Sequence, residues 1–223
     1  MNVLAVESST KACSVCLKLG DKVYVEFEMA PQRHANLMLP MVEKVLNQSG
    51  VTPDQIHALA FSEGPGAFTG IRIAAGVTQG LALGWEKPVL SVSTLEALAW
   101  QAYKETQQTD WVACLDARMK EIYVQSCHIE AGQLMSTQAQ LLSQEQLLET
   151  LKNSAIKNGV GDIDTEYPDV VSVFETWQSA YPSAEAIADI AQQRLDQAKM
   201  LEEEIPLPVY LRNDVADKPA AMK

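Results

Sequence analysis

Residues 63–72 read Glu63-Gly64-Pro65-Gly66-Ala67-Phe68-Thr69-Gly70-Ile71-Arg72, and they join a strand signal to a helix signal. Upstream, residues 56–62 form a short apolar run that suits a buried strand; downstream, residues 70–84 contain no helix breaker other than glycine. Gly64, Gly66 and Gly70 permit backbone angles that other residues resist, and Pro65 fixes one φ between them. Such a turn leaves free N–H groups at a helix N-terminus, where an anion or a partner's polar group can sit. No Gly-Lys-Ser/Thr follows, so it is not a phosphate-gripping P-loop. Glycine spacing alone is equally compatible with a plain tight turn.

Working outward, residues 3–7, 12–19 and 22–29 read as three strands, the last two joined by a Gly20-Asp21 turn. A helix follows over 35–48, then the strand at 56–62, the glycine-rich helix at 70–84, a strand at 88–92 and a helix at 94–103. Three strands, a helix, then alternating strand and helix is the order of one ribonuclease-H-like lobe. Residues 104–109 are polar and aperiodic, which places a boundary between a lobe of residues 1–104 and a smaller one of 105–223. The second half repeats the pattern loosely. Residues 111–116, 121–129 and 133–142 suggest a meander, and 143–152 a helix with Ser143 as its N-cap. Short strands are expected at 156–160 and 170–173. A helix after Pro182 is capped by Ser183 and has Ile187, Ile190, Ala191, Leu195 and Ala198 on one face. Residues 153–169 show no clear pattern, and the tail from 213 to 223 is expected to fray. The expected fold class is therefore α/β, two lobes that each carry a mixed sheet with flanking helices.

A hydrophobic fraction of 47% over 223 residues suits a folded protein with real cores. No run reaches the ~20 apolar residues of a membrane span, and the N-terminal stretch has no basic region and is interrupted by Glu7. A cytoplasmic location is the expectation. Lys and Arg number 17 against 29 Asp and Glu, a net charge of −12, and Arg33, Arg72, Arg118 and Arg194 are scattered. Gripping RNA needs clustered positive charge, so strong direct RNA binding by this chain is not expected.

No metal site is expected. Cys13 and Cys16 lie in one strand, where residues three apart point to opposite faces, and no second pair or nearby histidine completes a zinc site. Cys114 and Cys127 read as reduced core residues. His34, His57 and His128 fall in different elements without ligand spacing. Asp116 and Glu121 flank a hairpin and could pair as carboxylates, although turn capping by Asp116 and solvation of Glu121 explain them more simply.

Two helices carry more apolar surface than one sheet face requires. In residues 35–48 the apolar positions cover roughly 200° of the helix. Met38, Leu39, Val42 and Leu46 can face the sheet, which leaves Leu37, Met41 and Val45 in need of another cover. Pro40 is expected to kink this helix or confine its regular part. In residues 70–84 only Arg72, Thr78 and Gln79 are clearly polar, and Gly76, Gly80 and Gly84 recur along one side. The two helices either cover each other or form a docking surface for a partner.

The string Gly-Pro-Gly-Ala-Phe-Thr-Gly-Ile-Arg-Ile resembles the signature of the bacterial TsaB (YeaZ) family, relatives of the TsaD enzymes in the actin-like ATPase (ASKHA) superfamily. Leu4-Ala5-Val6-Glu7-Ser8-Ser9-Thr10, Asp116-Ala117-Arg118-Met119-Lys120-Glu121-Ile122-Tyr123 and Pro208-Val209-Tyr210-Leu211-Arg212 agree with it in order. The resemblance implies that the two apolar helices form the surface used for homodimers and for a TsaD-like catalytic subunit, through Leu37, Met41, Val45, Arg72, Gly76, Gln79, Gly80 and Leu83. It also implies a weak anion or nucleotide contact at Glu7, Ser8, Gly64, Gly66, Thr69 and Asp116. Where TsaD carries a histidine pair four apart, this chain has Thr94 and Leu98. A hydroxyl and an isobutyl group cannot replace two imidazoles on a metal.

The implied role is a non-catalytic scaffold that activates TsaD in forming N6-threonylcarbamoyladenosine beside the anticodon of tRNAs reading codons that begin with A. A TsaE-like ATPase would dock on the pair and a TsaC-type enzyme would supply the activated intermediate. No cofactor is expected tightly on this chain, with ATP and metal on the partners. The alternatives are an ATP-dependent phosphotransferase of the same superfamily, or a homodimer with regulatory duties.

Overall fold

The computed structural model describes residues 1–212; the fraying expected of 213–223 falls outside them. The chain opens with three antiparallel strands, β1 (Asn2–Glu7), β2 (Ala12–Leu19) and β3 (Lys22–Met29), followed by α1 (His34–Ser49). The strand expected at 56–62 forms as β4 (Ala58–Gly64), displaced by a 3-10 turn at Pro53–Gln55, and α2 (Phe68–Trp85), β5 (Val89–Ser93) and α3 (Thr94–Thr106) follow. The first sheet has the order β3-β2-β1-β4-β5, with β1, β4 and β5 parallel to one another.

The second half contains β6 (Asp110–Asp116), β7 (Glu121–Glu130), β8 (Gln133–Ser136), β9 (Gln140–Ser143), α4 (Gln144–Lys152), β10 (Asn158–Gly161), α5 (Pro168–Val171), β11 (Thr176–Ser179) and α6 (Ala184–Gln193). Its sheet runs β11-β10-β6-β7-β8, with β9 also on β7. In both sheets the first three strands are antiparallel and two further strands extend the sheet in parallel beyond the first, as β3-β2-β1-β4-β5 and β8-β7-β6-β10-β11, the second sheet carrying β9 as a sixth strand on β7. The protein is built from two ribonuclease-H-like lobes of actin-like type.

Three local expectations change. The strand expected at 133–142 is two strands, because β8 pairs with Cys127–Glu130 and β9 with Glu121–Val124 of the same long neighbour. The strand expected at 170–173 is a helical turn, α5, started by Pro168, whose fixed φ suits a helix N-terminus. Val170 is buried beside Ile163 and Tyr167, and β11 supplies the strand instead. In α1 the expected faces are rotated. Met38, Met41, Val42 and Val45 are buried, Leu37 is half-buried, and Leu39 is 53% exposed. The wide apolar arc exists because α1 packs on β2 and β3 and against α2, so Met41 and Val45 are core positions; the helix is continuous through Pro40.

Ser143 and Ser183 cap their helices as expected, each accepting an N–H three residues on. Helices α3 and α6 form a layer between the sheets. One cluster runs from Val3 and Ala5 of the first sheet through Leu95, Leu98, Ile187 and Ile190 to Ala113 and Leu115 of the second. Asp189 of α6 is buried there, bonded to Lys18 of β2 and to Trp100 Nε1 at 3.0 Å. Cys16 belongs to this layer and Cys13 to the outer cluster, so the two sulfurs diverge. All four thiols are free and buried, and burial pushes Cys13 up to about 12.

Candidate functional site

A cleft of about 990 Å³ lies between the lobes, where the C-terminal ends of β1, β4, β6 and β10 converge. The Gly-Pro-Gly turn forms its first-lobe wall, and the expectation of a demanding backbone is met by contact. A Cβ on Gly66 would stand 2.5 Å from the Ser9 carbonyl oxygen, and one on Gly70 would stand 1.9 Å from that of Ser8. The turn therefore lies backbone to backbone on residues 8–9. Ala67 N–H donates to the Ser9 carbonyl at 2.6 Å, and the Ser8 hydroxyl donates to the Gly70 carbonyl at 2.9 Å. Gly64 has φ +113, a region that favours glycine.

Behind this wall Glu7 is fully buried. Ser9 donates both its amide and its hydroxyl to Glu7 Oε1 at 2.5 Å, while Oε2 has no hydrogen-bond partner among the described residues. Burial pushes the Glu7 carboxyl up to about 7, against the Ser9 hydroxyl and amide, which pull it down. The amides of Ala67 and Ser9, which such a turn would offer to a phosphate, are already paired inside the protein. Of the six expected contact residues, Thr69 stands exposed on the first turn of α2, while Glu7, Ser8 and Gly64 are buried.

On the opposite wall, Asp116 caps its own hairpin. Its Oδ1 accepts Arg118 N–H at 2.8 Å, and its Oδ2 lies 2.9 Å from the Arg118 guanidinium. Glu121 pairs instead with Arg212, so Asp116 and Glu121 do not act as a carboxylate couple. The carboxyl brought to Asp116 is Asp162, after β10, which accepts the Asp116 N–H at 2.9 Å. Burial raises the Asp162 carboxyl, and the negative charge of Asp116 adds to the rise. Asp162 was hidden in the patternless stretch 153–169; its only signal was a position just past a short strand. No group of three or more His, Cys, Asp or Glu residues able to hold a metal occurs among the described residues.

The second candidate surface is the outer face of α2. Arg72, Gly76, Gly80, Leu83 and Gly84 are exposed, and a Cβ on Gly76, Gly80 or Gly84 would meet nothing within 4 Å. Gln79 is half-buried and donates to the Pro206 carbonyl at 2.7 Å. The α2 side of the expected docking set is therefore an open strip, while its α1 members Met41 and Val45 lie beneath it in the core. Thr94 and Leu98 are fully buried in α3. No helix among the described residues is long and apolar enough to cross a membrane.

Duplicated ribonuclease-H-like lobes facing each other across a cleft define a protein of the two-lobed, actin-like fold class. Residues 25–193 match the family described as TsaD, tRNA N6-adenosine threonylcarbamoyltransferase. The chain is 34% identical to the tRNA threonylcarbamoyladenosine biosynthesis protein TsaB of Escherichia coli, covering 98% of this chain and 97% of that one. It is 35% identical to the Haemophilus influenzae TsaB over 98% and 96%. The crystal structure of YeaZ from Pseudomonas aeruginosa superposes with a TM-score of 0.81 at 32% identity, covering 94% of this chain and 99% of that one. The chain belongs to the TsaB (YeaZ) family.

Proposed function

We propose that this chain is a non-catalytic subunit in the biosynthesis of N6-threonylcarbamoyladenosine in tRNA, one that docks a TsaD-like catalytic subunit on the outer face of α2 and activates it. The observation that carries this reading is the open strip at Gly76, Gly80 and Gly84, where a partner helix can approach the α2 backbone without displacing any atom of this chain. In isolation the same strip would pair two copies of the chain. Three further features support a scaffold rather than a catalyst. Thr94 and Leu98, at the positions of the TsaD histidine pair, are sunk in the central layer. The glycine turn is closed on residues 8–9. A net charge of −12 opposes a polyanion, which leaves tRNA to a basic partner.

ATP, metal and the TsaE-like ATPase belong on this reading to the partner subunits or their junction with this chain, in a cytoplasmic assembly. Co-purification with a TsaD-like subunit, followed by transfer assays with and without this chain, tests the reading. Formation of the complex with stimulated transfer is expected; a failure to bind any TsaD-like protein would sink it. The rival phosphotransferase reading has the cleft in its favour, and steady ATP turnover by the isolated chain would establish it.

A further inference from the structure

The last described stretch of chain, residues 204–212, touches both lobes without joining either sheet. On the first lobe, Val209 N–H donates to the Glu63 carbonyl at 2.7 Å. The Tyr210 ring packs on Phe68 with centroids 5.6 Å apart. Arg72 lies 3.6 Å over the Phe68 ring and donates its Nε to the Tyr210 hydroxyl at 2.7 Å.

On the second lobe, Arg212 donates to the Glu121 carboxylate, to the Arg118 carbonyl at 3.3 Å and to Met119 Sδ at 2.8 Å. The hairpin that receives it is unusual. Arg118, Met119 and Lys120 all have positive φ (63°, 53° and 63°), a region that L side chains enter reluctantly. Residues 209–212 line the cleft mouth between these anchors. A chain of that length spans at most roughly 11 Å between its end Cα atoms when fully extended, and the Arg212 side chain completes the reach to the hairpin.

We infer that residues 209–212 are a latch that sets the opening of the inter-lobe cleft. The lobes already share the layer of α3 and α6; the strap joins them a second time, on the cleft side. With Arg212 seated on the hairpin and Val209 on the end of β4, the lobes are held at one span. Releasing Arg212 frees them to hinge about the shared layer. This device stands on contacts within the chain and does not depend on the docking reading of α2.

Residue-resolved hydrogen exchange on the full chain and on Arg212→Ala tests it, together with small-angle scattering. The informative amides are Ala117 and Glu121 in the hairpin, and Val209 and Ala67 on the first lobe, all of them hydrogen-bonded. Loss of the charge-assisted bonds should speed exchange at all four by about tenfold, with a larger radius of gyration and an unchanged rate in the α3 and α6 amides. Glu121→Gln, which keeps the shape of the acceptor, should give the same pattern more weakly; it carries the test if Arg212→Ala melts early. Faster exchange confined to Ala117 and Glu121 would reduce the contact to a local clip and overturn the latch. So would no change at any of the four, or a uniform rise that includes α3 and α6.

Discussion

Gly70 and Ser8 meet backbone to backbone: the first turn of α2 rests on the end of the first-strand loop with no room for a methyl group, a Cβ there standing 1.9 Å from the Ser8 carbonyl oxygen. Neither partner is the far end of a flexible side chain, so the clash can be relieved only by moving the turn. Gly70→Ala should lower stability by roughly 1–3 kcal/mol or more in a urea melt. Gly84→Ala, on the open face of the same helix, should hold or raise it by up to about 1 kcal/mol. Equal melts for the two variants would show that the turn is not closed as described.

Gly80→Leu separates folding from assembly. The added side chain meets open space within the chain, so the melt should be unchanged or slightly improved. Self-association in sedimentation and recruitment of a TsaD-like subunit should both fail, because the side chain occupies the space a partner helix needs. A variant that still dimerises and recruits would place the docking surface elsewhere.

Met41→Glu does something different from what the sequence suggests. Met41 is buried in the first-lobe core, so a carboxylate there has neither water nor a partner, and the loss should be roughly 3 kcal/mol or more. Met41→Leu conserves volume and should lose under about 1.5 kcal/mol. A soluble, fully folded Met41→Glu monomer with a wild-type melting temperature would contradict the placement of this side chain.

The buried Glu7 makes stability depend on pH. Its folded value lies near 7 against an ordinary 4.5, so the folded state holds the proton more tightly than the unfolded state does. The group is neutral in both states well below pH 4.5. Its penalty grows as pH rises through the interval and is fully present above about 7, where it reaches about 3 kcal/mol. Glu7→Gln removes the charge. Relative to the wild type, that variant should therefore gain stability between pH 5 and pH 8 in paired thermal melts. A constant difference across that range would mean that Glu7 titrates normally.

Much of the fold was legible because its signals are periodic. Strand alternation in residues 12–29 and the run of breakers and helices after Gly64 gave the order of the first lobe to within a few residues. What was illegible came from helices with two neighbours. The arc of α1 looked excessive only because α2 covers part of it, and nothing in the sequence shows which of Leu39 and Met41 turns outward. At 168–179, Pro168 starts a helical turn where residues 170–173 read as a short strand. The cleft was legible as a demanding turn, but the atoms that impose the demand, the carbonyls of Ser8 and Ser9, leave no trace except the glycines opposite them. Asp162 was invisible because its partner is a backbone amide.

The helix α6 lies under the first sheet although 170 residues separate its Ala184 from Ser14 of β2. Its start is tied to β2 through Ala184 N–H on the Ser14 hydroxyl at 2.9 Å, and its end to the chain's beginning through Gln192 on the Met1 carbonyl at 2.8 Å. During translation the inner face of β1 and β2 must therefore wait, uncovered, until residue 193 has left the ribosome. An amino-terminal fragment ending at Thr106 should bind a hydrophobic dye that the whole chain excludes, and should lose the dye when a peptide of residues 180–200 is supplied. Until α6 is made, the inner face of these strands is open to chaperones and to aggregation in the nascent chain.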